Sequence, residues 1–139
     1  MNPSFLALRR GGLLALNLFV AFTLVACSTG DGDASEPAGG RATVSGGAVE
    51  ITAADLAFPV TTIQATAGAA FTITLVNNDS VPHNISIYTE EGGELLAEGT
   101  VINGGETVEL RVEALDAGEY HFMCDLHPDD MNGTLVVEG

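Results

Sequence analysis

Residues 120–131 read Tyr-His-Phe-Met-Cys-Asp-Leu-His-Pro-Asp-Asp-Met, and the interpretation of the whole chain depends on them. Cys124 offers a thiolate, His127 an imidazole three residues later, and Met131 a thioether four residues beyond that. Thiolate and thioether sulfurs are ligands for soft metals, and imidazole suits copper. The stretch therefore predicts a metal-binding loop, although it supplies too few strong ligands to complete a site.

A further strong ligand is offered upstream by His83, in the segment Val81-Pro82-His83-Asn84. His83, Cys124 and His127 would form a trigonal set with Met131 as a long axial ligand, which is the arrangement of blue-copper sites. Each residue alone has an ordinary structural explanation, because a free cysteine often behaves as a small buried hydrophobe and a methionine often packs. The conjunction of the four favours copper over a purely structural role.

The two cysteines of the chain are Cys27 and Cys124. In an exported protein the ordinary expectation for two cysteines is a disulfide. Here such a bridge would tie the end of an export signal to a strand, which makes a free thiol at Cys124 the favoured interpretation.

Residues 1–26 have the features of a bacterial export signal. Two arginines precede an apolar run over residues 11–26, which is shorter than the ~20 residues needed to span a bilayer. The run ends in Leu24-Val25-Ala26-Cys27, which resembles the lipobox of bacterial lipoproteins. The resemblance implies cleavage before Cys27 and lipid modification of that residue. Ordinary soluble secretion is the alternative.

Residues 27–47 are predicted to form a flexible linker between a lipid anchor and the folded domain. They are rich in Gly, Ser, Thr, Ala and Asp and show no apolar period. A coil of about 20 residues reaches about 25 Å, and up to ~65 Å when fully extended. The domain, predicted over residues 48–139, could therefore meet partners at or near the membrane.

The chain downstream of the signal is strongly acidic. The full chain contains no lysine and four arginines, and two of these arginines lie within residues 1–26. The residues from 27 onward therefore have 2 basic and 19 acidic side chains, a net charge of 2 − 19 = −17. Such a charge argues against nucleic acid and anionic lipid headgroups as partners, and it would speed encounter with a basic protein in a salt-dependent way. Solubility or adaptation to a saline habitat is an equally compatible explanation.

From residue 48 onward the pattern changes to short strands. Phe71, Ile73 and Leu75 alternate with more polar residues and predict the clearest half-buried strand. Residues 90–99 predict a loop with a short edge strand. About eight short strands without a helical period predict an all-β fold, a Greek-key antiparallel β-sandwich. The other predicted strands contain Val49–Ile51, Ile85–Ile87 (beginning at His83), Val108–Val112, Tyr120–Cys124 and Leu135–Val137.

Residues 48–139 resemble the plastocyanin-like cupredoxins, which are blue type 1 copper proteins. The resemblance implies one type 1 copper bound by His83, Cys124, His127 and Met131, and a one-electron carrier rather than an enzyme. The spacing departs in one respect, because three residues separate His127 from Met131, one fewer than in plastocyanins and one more than in amicyanins. Three motifs carry the resemblance: Asn77-Asn78-Asp79-Ser80-Val81-Pro82-His83-Asn84, Gly118-x-Tyr120-x-Phe122-x-Cys124-x-x-His127-Pro128 and Met131-x-Gly133-x-Leu135-x-Val137.

Three neighbours of the predicted ligands have expected roles. Asn84 is predicted to tie the two ligand segments together and to place a backbone N–H near the Cys124 sulfur, with an ordinary turn residue as the alternative. His121 and Met123 are predicted to point away from Cys124, because successive side chains of a strand face opposite sides.

Electrons are expected to enter and leave through His127, at the end of the sandwich. Pro82, Leu126 and Pro128 would form an apolar patch for docking. The acidic pairs Glu90–Glu91 and Asp129–Asp130 would orient a basic redox partner, such as a cytochrome or a membrane oxidoreductase.

The protein is expected to be a monomer, anchored by lipid on the extracytoplasmic side of a bacterial membrane, in the periplasm or at the cell surface. An extracytoplasmic copper chaperone or storage protein is the alternative function. It would favour an open site with several methionine and histidine ligands, whereas this chain has three of each. A catalytic copper centre would need further histidines, and only His121 is to spare.

Overall fold

A computed structural model describes residues 39–139 of the chain. Within this range there is no helix, and therefore none long and apolar enough to cross a membrane. The predicted signal over residues 1–26, the predicted lipidation site Cys27 and the first part of the predicted linker lie outside the described residues. The strands are β1 Gly40–Thr43, β2 Ala48–Ala53, β3 Val60–Thr66, β4 Phe71–Asn77, β5 Ser86–Tyr88, β6 Leu95–Glu98, β7 Thr107–Val112, β8 Gly118–Met123 and β9 Asn132–Glu138.

The strands form a six-stranded sheet in the order β1-β3-β9-β8-β5-β6 and a three-stranded sheet in the order β2-β4-β7. The prediction of an all-β sandwich is confirmed. Both sheets are mixed rather than purely antiparallel, because β1 and β9 pair with β3, and β2 pairs with β4, in parallel. These parallel pairs join strands distant in sequence, and alternation of apolar residues reports burial of a face without reporting strand direction.

The core lies between the two sheets and follows the predicted alternation. In Phe71–Asn77 every second side chain is buried, and Ile51 of β2 lies beside Leu75 in register. From the six-stranded sheet, Phe122 of β8 is fully buried and its ring centroid lies 5.9 Å from that of Phe58. Burying an aliphatic or aromatic side chain of this kind contributes about 1.5–3 kcal/mol. The packing of Phe122 therefore fixes the strand that leads into Cys124.

The β-structure begins earlier than the predicted domain boundary at residue 48. Strand β1 lies within the predicted linker 27–47, and its Gly40 N–H donates to the Pro59 carbonyl at 2.7 Å. The side chains of Gly40–Thr43 are exposed or partly exposed, so this edge strand is held by backbone pairing. A strand whose only core contact is the small side chain of Ala42 leaves no apolar period in the sequence, and the linker prediction is wrong for these residues.

The segment around His83 also differs in detail from the prediction. Strand β5 begins at Ser86 rather than at His83, while His83 forms an isolated bridge with Ile102. The N–O distances of this bridge are 3.0 and 2.8 Å. The predicted short edge strand in residues 90–99 is confirmed as β6, Leu95–Glu98, at one edge of the larger sheet.

Candidate metal centre

The loop between β8 and β9 carries three of the predicted ligands. Cys124 follows β8 directly, and Met131 directly precedes β9. Strand β5 pairs antiparallel with β8, with Ser86 opposite Met123. Residues that precede β5 therefore lie at the same end of the sheet as residues that follow β8, and this topology brings His83 to the β8–β9 loop.

Three nitrogen and sulfur donors converge at this end. The Cys124 Sγ lies 3.7 Å from Nδ1 of His83 and 3.8 Å from Nδ1 of His127. The three donor atoms all lie within 4.8 Å of one another. His83 and Cys124 are fully buried, whereas His127 is partly exposed.

These separations fit a shared metal ion. A first-row metal bound by imidazole nitrogen and thiolate sulfur lies about 2.0–2.3 Å from each donor, which in a trigonal plane separates the donors by roughly 3.5–4.0 Å. A thiol could instead make one weak S–H···N hydrogen bond, but it has only one proton to donate. Two imidazoles that aim the same nitrogen at one sulfur are better explained by a common ligand position. The donor set is the one that suits copper.

Backbone hydrogen bonds close the β8–β9 loop into a tight turn. The Cys124 N–H donates to the Met131 carbonyl at 2.8 Å, and the Met131 N–H donates to the His127 carbonyl at 3.0 Å. Met131 follows His127 by four positions, with three residues between them, and this spacing corresponds to a single helix-like turn. Met131 is fully buried, and its backbone bonds to Cys124 and His127, so the unusual spacing keeps it at the same end of the sandwich; its part as axial ligand stays a prediction.

The Met-x-Gly motif has a packing reason. A Cβ atom added to Gly133 would overlap the Phe122 ring and the Thr61 carbonyl oxygen. A side chain at this position would push β9 away from β8 and β3, and β9 carries the C-terminal end of the ligand loop. Glycine thus permits the close strand packing that holds Met131 in place.

Asn84 connects the two ligand segments, as its position beside His83 predicts. Its Oδ1 accepts a hydrogen bond from the Asp125 backbone N–H at 2.9 Å, and its Nδ2 donates to the Gly99 carbonyl at 3.2 Å. The side chain is 2% exposed. This bond anchors the residue that follows Cys124. The influence of Asn84 on the thiolate itself stays a prediction.

Asp125 is a residue of the site that the sequence reasoning missed. Its carboxylate accepts hydrogen bonds from Asn84 Nδ2, from Ser86 Oγ at 2.7 Å and from the Tyr88 hydroxyl at 2.6 Å. Partial burial acts to raise the pKa of Asp125, but the three hydrogen bonds outweigh it and lower that pKa. The donors Asn84, Ser86 and Tyr88 occupy alternate positions, and the strand period alone places their side chains on one face of the sheet. Their common acceptor, 37 or more residues away, left no local signal.

The hydrogen bond to Asp125 predicts an unusually high pKa for Tyr88. Donation to the carboxylate, partial burial and the nearby negative charges raise the pKa of Tyr88 to about 12 from its ordinary value of 10.0. Because the raised pKa belongs to the folded state, the stabilisation is complete below pH 10 and is lost as the pH rises through about 12. The ionisation of Tyr88 can be measured in the metal-free protein by ultraviolet absorption as the pH is raised. Subtracting the titration curve of Tyr88→Phe from that of the wild type leaves the contribution of Tyr88.

In that difference titration we expect a midpoint of about 12. The Asp125→Asn protein, titrated in the same way against its own Tyr88→Phe derivative, should move the midpoint toward 10.0, the ordinary tyrosine value. A wild-type midpoint already at the ordinary value would show that the Tyr88–Asp125 bond is absent in solution.

The remaining side chains named in the sequence prediction are exposed or partly exposed. His121 and Met123 are partly exposed, and His121 lines a shallow surface depression together with Glu90 and Glu119. Pro82, Leu126 and Pro128 are all exposed. Among the described residues, His83, Cys124 and His127 are the one group of three such side chains whose donor atoms converge.

A β-sandwich that gathers two imidazoles, one thiolate and a buried methionine at one end is a blue copper protein with a type 1 site. A family model described as a cupredoxin-like domain matches residues 15–137 of this chain. The chain therefore belongs to the cupredoxin-like family.

Individual relatives agree with the family. Amicyanin-alpha of Methylorubrum extorquens is 30% identical over 92 residues, which cover 66% of this chain and 73% of that protein. Auracyanin A of Chloroflexus aurantiacus, described as a "blue" copper protein, is 30% identical over 70% of this chain and 99% of its own, with a TM-score of 0.59. A reduced mutant of amicyanin is 26% identical over 68% of this chain and 86% of its own, with a TM-score of 0.51.

Proposed function

We propose that the protein is a one-electron carrier that passes electrons between protein partners outside the cytoplasm. The observation that carries this proposal is the preassembled donor set, in which His83 and Cys124 are fully buried and only His127 among the strong donors reaches the surface. Bound copper supplies the Cu(II)/Cu(I) couple. The similarity of this chain to amicyanin and auracyanin supports the same class of function.

The surrounding residues hold the donors in one geometry during electron transfer. The turn from Cys124 to Met131 is closed by backbone hydrogen bonds, and His83 is fixed by its bridge to Ile102. Trigonal coordination with a weak axial sulfur is acceptable to both oxidation states of copper. A scaffold that need not rearrange keeps the energetic cost of each electron transfer low. The partly exposed His127 ring is then the shortest route between the site and a docked protein.

Apolar side chains around His127 form the proposed docking surface, composed of Val81, Pro82, Leu126 and Pro128. All four are exposed, with 37% of Val81 and 43% of Leu126 accessible to solvent. Val81 and Pro82 precede His83, while Leu126 and Pro128 flank His127, so both ligand segments contribute to this surface. A small apolar surface of this kind suits transient rather than permanent association.

Acidic residues near this surface favour a basic partner. Asp129 and Asp130 are exposed and follow the docking surface directly. The other predicted pair, Glu90 and Glu91, is exposed on the β5–β6 connection, at the end of β5 away from His83, and adds only to the overall negative charge. A basic cytochrome or a basic face of a membrane oxidoreductase would be attracted to them. The association rate should then fall as the salt concentration rises.

Resistance to a chelator distinguishes an electron carrier from a copper chaperone or store. We expect the copper-loaded protein to pass through repeated cycles of reduction and oxidation in the presence of a copper chelator and to keep its metal. His127→Gly, which opens the exposed side of the site, is the matched control and should lose copper under the same conditions. Rapid transfer of copper from the wild type to the chelator in either oxidation state would favour the chaperone function instead.

We also propose that the protein is anchored to a membrane by lipid at Cys27. Multiple acyl chains hold a protein stably on a membrane, whereas one chain alone is marginal. The support is the lipobox-like segment Leu24-Val25-Ala26-Cys27. We expect the full-length protein to partition with bacterial membranes, and Cys27→Ala to be left uncleaved or misprocessed. Mass spectrometry of the mature N-terminus checks this. A wild type that is wholly soluble, with a different N-terminal residue, would contradict it.

A further inference from the structure

The turn between β2 and β3 holds two non-glycine residues in the left-handed region. Asp55 has a φ of 54° and Leu56 a φ of 56°. Ala54 and Ala57 exchange both backbone hydrogen bonds around them, at 3.1 and 3.0 Å. This is the pattern of a two-residue type I′ turn, which strongly prefers Asn-Gly or Gly-Gly. For residues with a Cβ atom the left-handed conformation costs roughly 1–2 kcal/mol each.

Both N–H groups of this strained turn bind one carboxylate. The Asp55 N–H donates to Asp79 Oδ1 at 2.7 Å, and the Leu56 N–H donates to Asp79 Oδ2 at 3.0 Å. The same Oδ2 lies 2.8 Å from Nε2 of His83. Backbone strain that persists only because its surroundings hold it is found preferentially at functional sites. Here the group that holds the strained turn also contacts a copper ligand.

Asp79 itself is held in place on its other side. Its backbone N–H donates to Asn77 Oδ1 at 2.9 Å. The Asn77 amide donates in turn to the carbonyls of Val81 and Ile102, at 2.9 and 3.2 Å, and the side chain is fully buried. The loop from residue 77 to His83 is therefore internally bonded. The Asp79 carboxylate lies between the turn and the imidazole.

The contacts of Asp79 determine which nitrogen of His83 carries the proton. Both oxygens of the Asp79 side chain accept backbone N–H groups, one from Asp55 and one from Leu56, which is the bonding of an ionised carboxylate. An ionised carboxylate only accepts hydrogen bonds, so His83 must donate from Nε2. Nδ1 is then left with its lone pair facing the Cys124 sulfur, 3.7 Å away.

We propose that Asp79 is a positioning residue of the copper centre, which orients His83, makes it a stronger donor and thereby lowers the reduction potential. The Asp55–Leu56 turn is the device that aims its carboxylate. A partner that accepts the second N–H of a ligating histidine raises the basicity of the ligand. A more basic imidazole, with a negative charge behind it, favours Cu(II) over Cu(I). The side chain of Asp79 is 14% exposed and that of His83 is fully buried, so solvent screens this contact only in part.

The inference deepens the proposed function, and its first test needs no metal. In the metal-free wild type, at a pH at which the imidazole ring is neutral, nitrogen-15 NMR should show His83 with its proton on Nε2. In Asp79→Ala that preference should weaken. Should Asp79→Ala fail to fold, Asp79→Asn combined with Leu56→Gly carries the experiment, because glycine removes the strain of the turn. The inference is wrong if the tautomer and the potential are both the same as in the wild type in every folded Asp79 variant.

The second test is the reduction potential of the copper-loaded variants. Loss of an outer partner of a ligand commonly changes affinity or activity 10–100-fold, and a tenfold change in a one-electron equilibrium corresponds to ~59 mV. We expect Asp79→Asn and Asp79→Ala to favour reduction by about tenfold, with a higher potential. The matched control is Asp116→Asn, which removes an exposed carboxylate before the first residue of β8, at the end of that strand away from Cys124, and should leave the potential unchanged. If no protein of the series, including the wild type, exchanges electrons reversibly, the proposed function fails, while the tautomer of His83 still decides the role of Asp79.

Discussion

Cys124→Ser is expected to abolish the intense visible absorption of the copper-loaded protein and to leave the β-sandwich folded. The colour of a blue-copper site arises from the Cu(II)–thiolate bond, and the serine hydroxyl cannot replace that bond. Serine is nearly isosteric with cysteine, and the backbone N–H of residue 124 keeps its bond to the Met131 carbonyl. The visible spectrum after copper addition and the far-ultraviolet circular dichroism check the two halves of the prediction.

A change at the adjacent residue provides the control for Cys124→Ser. Met123 belongs to the same strand, is partly exposed and faces the opposite side of the sheet. Met123→Leu should therefore keep the full absorption. An intense band that survives in Cys124→Ser would contradict the assignment of the thiolate, as would its loss in a well-folded Met123→Leu protein.

Two substitutions of Met131, to Leu and to Gln, are expected to shift the reduction potential in opposite directions without loss of copper. His83, Cys124 and His127 supply most of the binding. Met131→Leu removes a soft donor to Cu(I), but it also removes a competitor for Cu(II) and dries the site, and we expect the second effect to dominate and to raise the potential. Met131→Gln introduces a harder oxygen donor that favours Cu(II) and should lower the potential.

Voltammetry of the two Met131 variants beside the wild type measures these shifts. A tenfold change in the equilibrium between the oxidation states corresponds to ~59 mV, and we expect each shift to be of at least this order. If Met131 only packs in the apolar core and does not bind copper, the potential and the spectrum should be the same in the wild type, Met131→Leu and Met131→Gln. That result would show Met131 to be a core residue and the site to be three-coordinate or to use another axial group.

The ligands could be predicted from the sequence because their chemistry is written in residue types and short spacings. Cys124, His127 and Met131 share one loop, and a loop of this length brings its own residues together whatever the rest of the fold. His83 is distant in sequence, and it was connected with the loop by the need for a further strong ligand and by the family motif that surrounds it. The alternation that marks β4 and β8 likewise depends on neighbouring residues alone.

The features that escaped prediction depend on contacts between distant segments. β1 is mostly exposed, and its pairing with β3 exists only in the folded sheet. The left-handed turn at Asp55 and Leu56 contradicts its own residue preferences, because Asp79, 23 or 24 residues away, accepts both N–H groups. Asp125 depends in the same way on donors from the β5 segment. Acidic residues are numerous in this chain, so the two that hydrogen-bond to His83 and Asn84 were hidden among exposed ones.

The measurement that tests the central claim most directly is a spectroelectrochemical titration of the copper-loaded protein. The account predicts one copper per chain and a single reversible one-electron transition. The Cu(II)–thiolate absorption should bleach completely on reduction and return completely on oxidation, without loss of metal. Irreversible bleaching, release of copper on reduction, or binding of copper without the thiolate absorption would contradict a type 1 electron carrier.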